Sequence, residues 1–205
     1  MKTLFATVLK SGSVAIVLLA SVFSLTASAA TVTADRGSFN QDIKKVIVTG
    51  NTKVLLVQNT KEYVTMDNLD LEKVSLKQVG NTLTISSSES NPVTVTVYVK
   101  DLYRIDAADQ SNVRTSGNFN LKNLQVMLKD DAKARIKATT ASLYTVIDGR
   151  ANLELIGTSD SHVSKMAGVA TIDTNKFAAL KTEAIAASNE VVAFNSHRKV
   201  QSAQK

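Results

Sequence analysis

After residue 100 a nine-residue block returns at a nearly fixed interval, and no other feature of the chain limits its fold so strongly. The blocks run from Ala107 to Thr115, Leu128 to Ile136, Ile147 to Leu155, Met166 to Thr174 and Ile185 to Ala193, with starts 21, 19, 19 and 19 residues apart. Stacked, they align an apolar column of Ala107, Leu128, Ile147, Met166 and Ile185 and a second of Val113, Ala134, Leu153, Ile172 and Val191. Between the two stands a column of short side chains, Ser111, Ala132, Ala151, Ala170 and Asn189. No sustained 3.6-residue pattern competes, so each unit reads as one turn of sheet. Such a turn cannot bury its own apolar face and is stable only when stacked on neighbours. The expectation is an all-β domain of parallel β-helix or solenoid-like form, with the apolar columns inside and the short residues at tight corners. A meander of antiparallel hairpins produces the same spacing and is the alternative. In the stacked register Ile147 and Leu153 point inward, while Asp148 and Glu154 point outward.

Upstream, between Phe39 and Val99, apolar and β-branched residues recur mainly at period two: Val46-Ile47-Val48, Val54 to Val57, Leu83-Thr84-Ile85 and Val93 to Val99. This is a strand signal. The first two runs are separated by Thr49-Gly50-Asn51-Thr52-Lys53, and a second break falls at Gly80-Asn81, so an N-terminal β-hairpin region is expected. The single proline, Pro92, stands just before the most regular strand, where a missing amide donor does least harm.

Lys2 and Lys10 precede an uncharged apolar run from Val14 to Leu25, followed by Ala27-Ser28-Ala29. That is the layout of a secretory signal peptide, with the mature chain expected to begin at Ala30. The run is 12 residues long, short of the roughly 20 that a spanning helix needs. The chain therefore divides into a signal peptide over 1–29, a linker over 30–38, one β-domain over 39–194 and a polar basic tail over 195–205. Export to the periplasm or the cell surface is expected, with no transmembrane segment in the mature part. The chain has no cysteine, so packing and backbone ladders must do the work that disulfides do in many exported domains.

Of the net charge of +6, two positive charges and no acid lie ahead of Ala30, which leaves +4. Lysines and arginines are interspersed with acids, and the one cationic cluster, His197-Arg198-Lys199 with Lys205, is in the tail. No basic stripe interleaved with aromatics marks the chain as a nucleic-acid binder.

The order of these segments resembles the head GIN domain family, exported β-domains of Bacteroidetes labelled as autotransporter adhesins. The resemblance spans roughly Phe39 to Phe194. It is carried by the opening Phe39 to Ile43, by Val46-Ile47-Val48-Thr49-Gly50 and Val54-Leu55-Leu56-Val57-Gln58, by Gly80-Asn81-Thr82-Leu83-Thr84-Ile85, by the valine-rich run into Leu102-Tyr103-Arg104-Ile105, and by the repeated small-residue turns. Those turns read Asp109-Gln110-Ser111, Asp130-Asp131-Ala132, Gly149-Arg150-Ala151 and Gly168-Val169-Ala170, less glycine-rich than the family's. The resemblance implies a β-helix-like fold at the envelope and a role in adhesion or surface-polymer binding, and it brings no catalytic residues.

Candidate chemistry is sparse. Without cysteine, and with only His162 and His197 as imidazoles, neither a nucleophilic triad nor a zinc cluster has its parts. His162 falls in the stacked position of Leu124 and Leu143 and reads as a corner or partly buried histidine replacing a leucine. Asp109, Asp130, Asp131 and Asp148 gather at equivalent corners beside Lys129 and Arg150. They read as turn residues, since aspartate bonds its own backbone. A calcium site and a pair of acids for glycoside cleavage are the alternatives. Carbohydrate-binding proteins often stack sugars on exposed aromatics, and Tyr63, Tyr98, Tyr103 and Tyr144 are the candidates, with Tyr98 and Tyr144 on the outward side by alternation.

Three functions follow in order of preference. The first is an adhesion-type envelope module contacting glycan; the second is a structural or stress-related periplasmic protein that assembles with itself; the third is a minimal polysaccharide-cleaving enzyme. No enzyme activity, cofactor or metal is expected, and any ligand should lie along an outer face.

Overall fold

The computed structural model describes residues 42–67 and 70–186. Its first six strands are β1 (Lys45–Gly50), β2 (Thr52–Gln58), β3 (Tyr63–Met66), β4 (Ser75–Val79), β5 (Thr82–Ser87) and β6 (Val93–Val99). The next six are β7 (Arg104–Ala107), β8 (Asn112–Ser116), β9 (Phe119–Leu128), β10 (Lys133–Ile147), β11 (Asn152–Met166) and β12 (Thr171–Ala186). All twelve join one sheet. Among the described residues no helix is long and apolar enough to cross a membrane.

The long strands β10 to β12 explain how a single sheet encloses a core. In β10 the inward positions are Ala134, Ile136, Ala138 and Thr140, then Leu143, Thr145 and Ile147, so the buried parity changes where Ala141 and Ser142 are both exposed. A strand that changes parity has bent, because its side chains otherwise alternate strictly between faces. β8 pairs with the first half of β10, matching Val113 to Ala134. β9 pairs with its second half, matching Leu128 to Ile147. From these two strands the sheet runs outward in two arms, β8-β2-β6-β3 and β9-β7-β1-β5-β4, while β11 and β12 continue on the other side of β10. The sheet is thus curled, and the inward aliphatics of both arms, among them Val46, Val48, Leu56, Leu83, Ile85, Val95, Val97 and Ile105, meet in one buried cluster. Each contributes about 1.5–3 kcal/mol of transfer free energy.

The ladders β10–β11, β9–β10, β7–β9, β2–β8 and β2–β6 are parallel, which excludes the antiparallel meander. Antiparallel pairing appears at the two ends of the path, between β3 and β6 and between β4 and β5. The ladder pairs Ala107 with Leu128, Leu128 with Ile147 and Ile147 with Met166, and it pairs Ala134 with Leu153 and Leu153 with Ile172. Those are the neighbours set by the sequence alignment, and Ile147 and Leu153 are fully buried.

Two expectations need correction. The fifth position of the first column is displaced by one: Met166 pairs with Ala186, and Ile185 pairs with Lys165. An irregularity between Glu154 and Ile156 gives β12 one extra residue there, and the Asn175 N–H donates to Asp173 Oδ1 across it. A one-residue slip reverses which side chains face the core, so Ile185 is 41% exposed instead of buried. Val191 and Asn189, the last members of the other columns, lie outside the described residues, as do the segments assigned to the signal peptide, the linker and the basic tail.

The second correction concerns the N-terminal hairpin. Val46-Ile47-Val48 and Val54 to Val57 form β1 and β2, but the two do not pair with each other. β1 lies between β5 and β7, and β2 lies between β6 and β8, all parallel. Period-two alternation specifies a strand but not its partner, and here each strand buries its apolar face by stacking on a different arm. The break at Gly80-Asn81 does form a hairpin, between β4 and β5.

Candidate binding face

The corner aspartates have a structural task. Asp109, Asp130, Gly149 and Gly168 occupy equivalent corners with φ of 59°, 57°, 70° and 66°. In the turns Ala108–Ser111, Lys129–Ala132 and Asp148–Ala151 this residue is the first central position, with the chain closing back on the first carbonyl. A positive φ there is the mark of a type II′ turn, which glycine or a short polar residue fills. Aspartate therefore adopts the same backbone as glycine, and the low glycine content does not alter the corner. The corners stack through backbone bonds from Asp131 N–H to Asp109 C=O, Arg150 N–H to Asp130 C=O and Val169 N–H to Gly149 C=O, at 3.0, 2.7 and 2.9 Å. Side chains complete the ladder: Asp109 Oδ2 accepts from Gly50 N–H at 2.8 Å, and Asp130 Oδ2 accepts from Asp109 N–H at 3.3 Å.

Neither acid chemistry nor metal binding draws support from this corner. Arg150 grips Asp131 through two bonds of 2.6 Å, and this hydrogen-bonded guanidinium holds the Asp131 carboxyl below its usual range. A general acid for glycosidic cleavage needs the opposite shift. Asp148 Oδ1 accepts from the Gly149 N–H. No group of three or more His, Asp and Glu side chains suited to a cation exists among the described residues.

His162 pairs in register with Leu143 and lies 3% exposed. Its Nε2 is 3.1 Å from Thr145 Oγ1, its ring meets Phe177 edge-on, and burial pushes its pKa down. It is a core histidine in a leucine position, as its column implies. His197 lies outside the described residues. Among the tyrosines, Tyr63 and Tyr98 stack face to face across β3 and β6, with ring centroids 4.0 Å apart, so Tyr98 is a cross-strand packing residue. Tyr144 is half-buried and Tyr103 is 46% exposed. The four do not form a shared platform.

What the ladder does assemble is a cationic face. On the outward side of β2, β8 and the first half of β10, register places Lys53 beside Asn112 and Asn112 beside Lys133, while Leu55, Arg114 and Arg135 form the next row. Lys137 follows on β10. Lys53, Arg114, Lys133, Arg135 and Lys137 are all exposed, and no acid occupies an outward position on these three strands. Arg135 is tied to Glu154 of β11 at 3.2 Å, whereas Lys53, Arg114, Lys133 and Lys137 enter no ion pair among the described residues. A groove of about 340 Å³ opens between the rows, lined by Lys53, Val54, Leu55, Thr94, Asn112 and Arg114. The other outward face, carried by β1, β7, β9 and the second halves of β10 and β11, is of different character: Ile47, Met127, Tyr144, Val146 and Val163 are half-buried there, and Lys45 and Arg104 both pair with Asp106.

The family model described as "Putative auto-transporter adhesin, head GIN domain" matches residues 42–203. The chain belongs to this family. The curled sheet of this head GIN domain recurs in solved structures. A putative adhesin from Bacteroides fragilis superposes with a TM-score of 0.61 at 16% identity, over 71% of this chain and 72% of that one. A putative lipid binding protein from Parabacteroides distasonis gives 0.54 at 14% identity, over 71% and 75%. A putative adhesin from Parabacteroides merdae gives 0.53 at 13% identity, over 72% and 74%. At these identities the likeness is one of fold. No curated protein matches the chain.

The cationic face of the head GIN domain was missed when charge was read along the chain, because its lysines and arginines come from strands separated by about twenty residues or more. The signal was nonetheless available. Within the nine-residue blocks Arg114 and Arg135 hold the same position, so the alignment that reveals the apolar columns also stacks these two cations.

Proposed function

We propose that this head GIN domain is an adhesion-type module of the bacterial envelope, built as a β-solenoid, that binds an extended polymer such as a surface polysaccharide along an outer face and has no enzymatic activity. The observation that carries the proposal is a largely parallel sheet with a solvent-exposed outer face and, among the described residues, no covering helix. Parallel sheets ordinarily have both faces covered. A chain that coils its sheet around its own core escapes that requirement and offers broad strand faces to solvent, as solenoid proteins do when they bind long partners. Membership in an adhesin-labelled family and the N-terminal targeting pattern support export to the periplasm or cell surface. The Arg150 guanidinium, which holds the Asp131 carboxyl below its usual range, supports a binding role over a cleaving one. Two experiments test the reading. Surface labelling of intact cells should modify the protein, and the purified protein should bind members of a glycan panel without degrading them. Failure to bind any glycan would remove the adhesion reading, and turnover lost on changing both Asp130 and Asp131 to Asn would make the corner an active site.

A second reading, self-assembly, has its own observation. Among the described residues β12 pairs with β11 alone, so its other edge presents unpaired backbone groups, and Leu180 beside it is 88% exposed. Open edges template strand addition. Concentration-dependent oligomers that vanish on Leu180→Lys would favour this reading.

A further inference from the structure

We propose that the partner of the outward face of β2, β8 and β10 is an acidic polysaccharide, a glycan carrying repeated carboxylate or sulfate groups; this rests on the adhesion reading and gives it a place and a ligand class. Five exposed cations, Lys53, Arg114, Lys133, Arg135 and Lys137, occupy one face of three neighbouring strands, and the two acids at its borders are each held by an arginine: Glu154 by Arg135, with Lys176 at 3.9 Å, and Asp131, which sits beside Lys53 and Lys133, by Arg150. Strand spacing sets Arg114 and Arg135 about 5 Å apart across the sheet, Lys53 and Lys133 about 10 Å apart on either side of Asn112, and successive cations of β10 about 7 Å apart along it. This is an array for a chain of repeating anions, not a socket for one. Concentrating like charge on one face costs the free protein some self-repulsion, and an anionic polymer relieves it.

The groove between the rows adds shape. Leu55 lines it beneath Lys53, Arg114, Thr94 and Asn112, which gives an apolar spot flanked by cations and by hydrogen-bonding side chains, while Val54 faces the core. That combination fits a sugar, whose ring offers apolar C–H surface, hydroxyl groups and, in this class, a charged substituent. The same face argues against two other polyanions. The aromatic on its margin, Tyr98, already has one face stacked on Tyr63, so this face of the sheet lacks the series of free rings on which successive bases of single-stranded nucleic acid stack. Leu55 is only half exposed in the groove, so the face has no protruding apolar side chain to enter a lipid bilayer.

The test measures binding of the full-length protein to polygalacturonate and dextran sulfate, with neutral dextran, anionic phosphatidylglycerol vesicles and single-stranded DNA as comparison arms. The acidic glycans should bind, and added salt should weaken them. Changing Arg114 and Lys133 both to Ser should lower that affinity about tenfold and flatten the salt dependence. The control pair Lys165→Ser and Lys181→Ser removes the same charge from the opposite side and should leave binding unchanged; circular dichroism of both pairs checks that the fold is intact. Equal loss from the two pairs would mean that net charge alone acts, and the inference falls. Preferential binding to vesicles or DNA also overturns it. Binding to neutral dextran that survives the Arg114 and Lys133 changes overturns the acidic class and the site but keeps the adhesion reading. No binding to any glycan removes both.

Discussion

At the level of β9 the inward positions are Leu121, Leu124 and Val126; followed through the ladder to β12, the same positions become Ala179, Thr182 and Ala184. The changes are progressive. Leu121 gives way to Thr140, Ser159 and Ala179; Val126 to Thr145, Ser164 and Ala184; Leu124 to Leu143, His162 and Thr182. The backbone ladder is continuous across these levels, but the apolar content of the interior falls from one to the next. Inside β10 and β11, Thr140 Oγ1 donates to Ser159 Oγ at 2.9 Å and Thr145 Oγ1 lies 3.1 Å from His162 Nε2, while Ser164 Oγ is buried without a hydrogen-bond partner among the described residues. At β12 the side chains are largely exposed, and Phe177 closes over His162. Hydrogen bonds order the strands equally at both ends, while hydrophobic burial is concentrated toward β9. Local opening should therefore begin at β12.

The comparison breaks most visibly at Leu153, a fully buried residue of β11 that lies between Ala134 and Ile172 in the ladder. Leu153→Asp places a carboxylate in the interior and should abolish cooperative unfolding, since a domain holds only about 5–15 kcal/mol in reserve. A normal thermal transition in this variant would show that the β11 level does not depend on burial. Next in size is Gly157→Ala. Gly157 has φ of 112°, and an added Cβ would meet the Ala138 carbonyl oxygen of the level below at 2.1 Å. The strain and the collision together should cost about 4 kcal/mol, read as a lower denaturant midpoint.

Matched truncations sharpen the gradient itself. Leu124→Ala should cost about 3 kcal/mol, whereas Thr182→Ala, three strands away at the same ladder position, should stay within about 0.5 kcal/mol. Equal costs from urea melts would contradict the gradient. A smaller effect is expected from pH. Burial lowers the His162 pKa from 6.5, so the unfolded chain takes up a proton before the folded one does. Stability from the neutral imidazole is complete above the unfolded pKa and is lost as pH falls below it toward the folded pKa. His162→Leu, which restores the residue type of Leu124 and Leu143, should remove this part of the acid sensitivity, measured as the change in melting temperature between neutral and mildly acidic buffer. Smallest is Glu154→Ala. Its bridges to Arg135 and Lys176 are at the surface, and their loss should cost less than about 1 kcal/mol.

The sequence alone determined the strands and most of their stacking register after residue 100. Period-two alternation specifies which residues of a strand share a face, and a block returning every nineteen residues specifies which residues of successive levels lie side by side. The leucine-to-histidine replacement at His162 was legible for the same reason. Tertiary structure decided what no local pattern encodes. Alternation in β1 and β2 looks the same whether the two pair as a hairpin or, as they do, lie on opposite arms, because burial is satisfied either way. The extra residue of β12 opposite the Glu154–Ile156 step moved Ile185 to the outside, an outcome that depends on how β12 sets its register against its neighbour. The cationic face exists only when β2, β8 and β10 are set side by side, since distant residues add their charges into one field only after folding brings them within a few ångströms of one another.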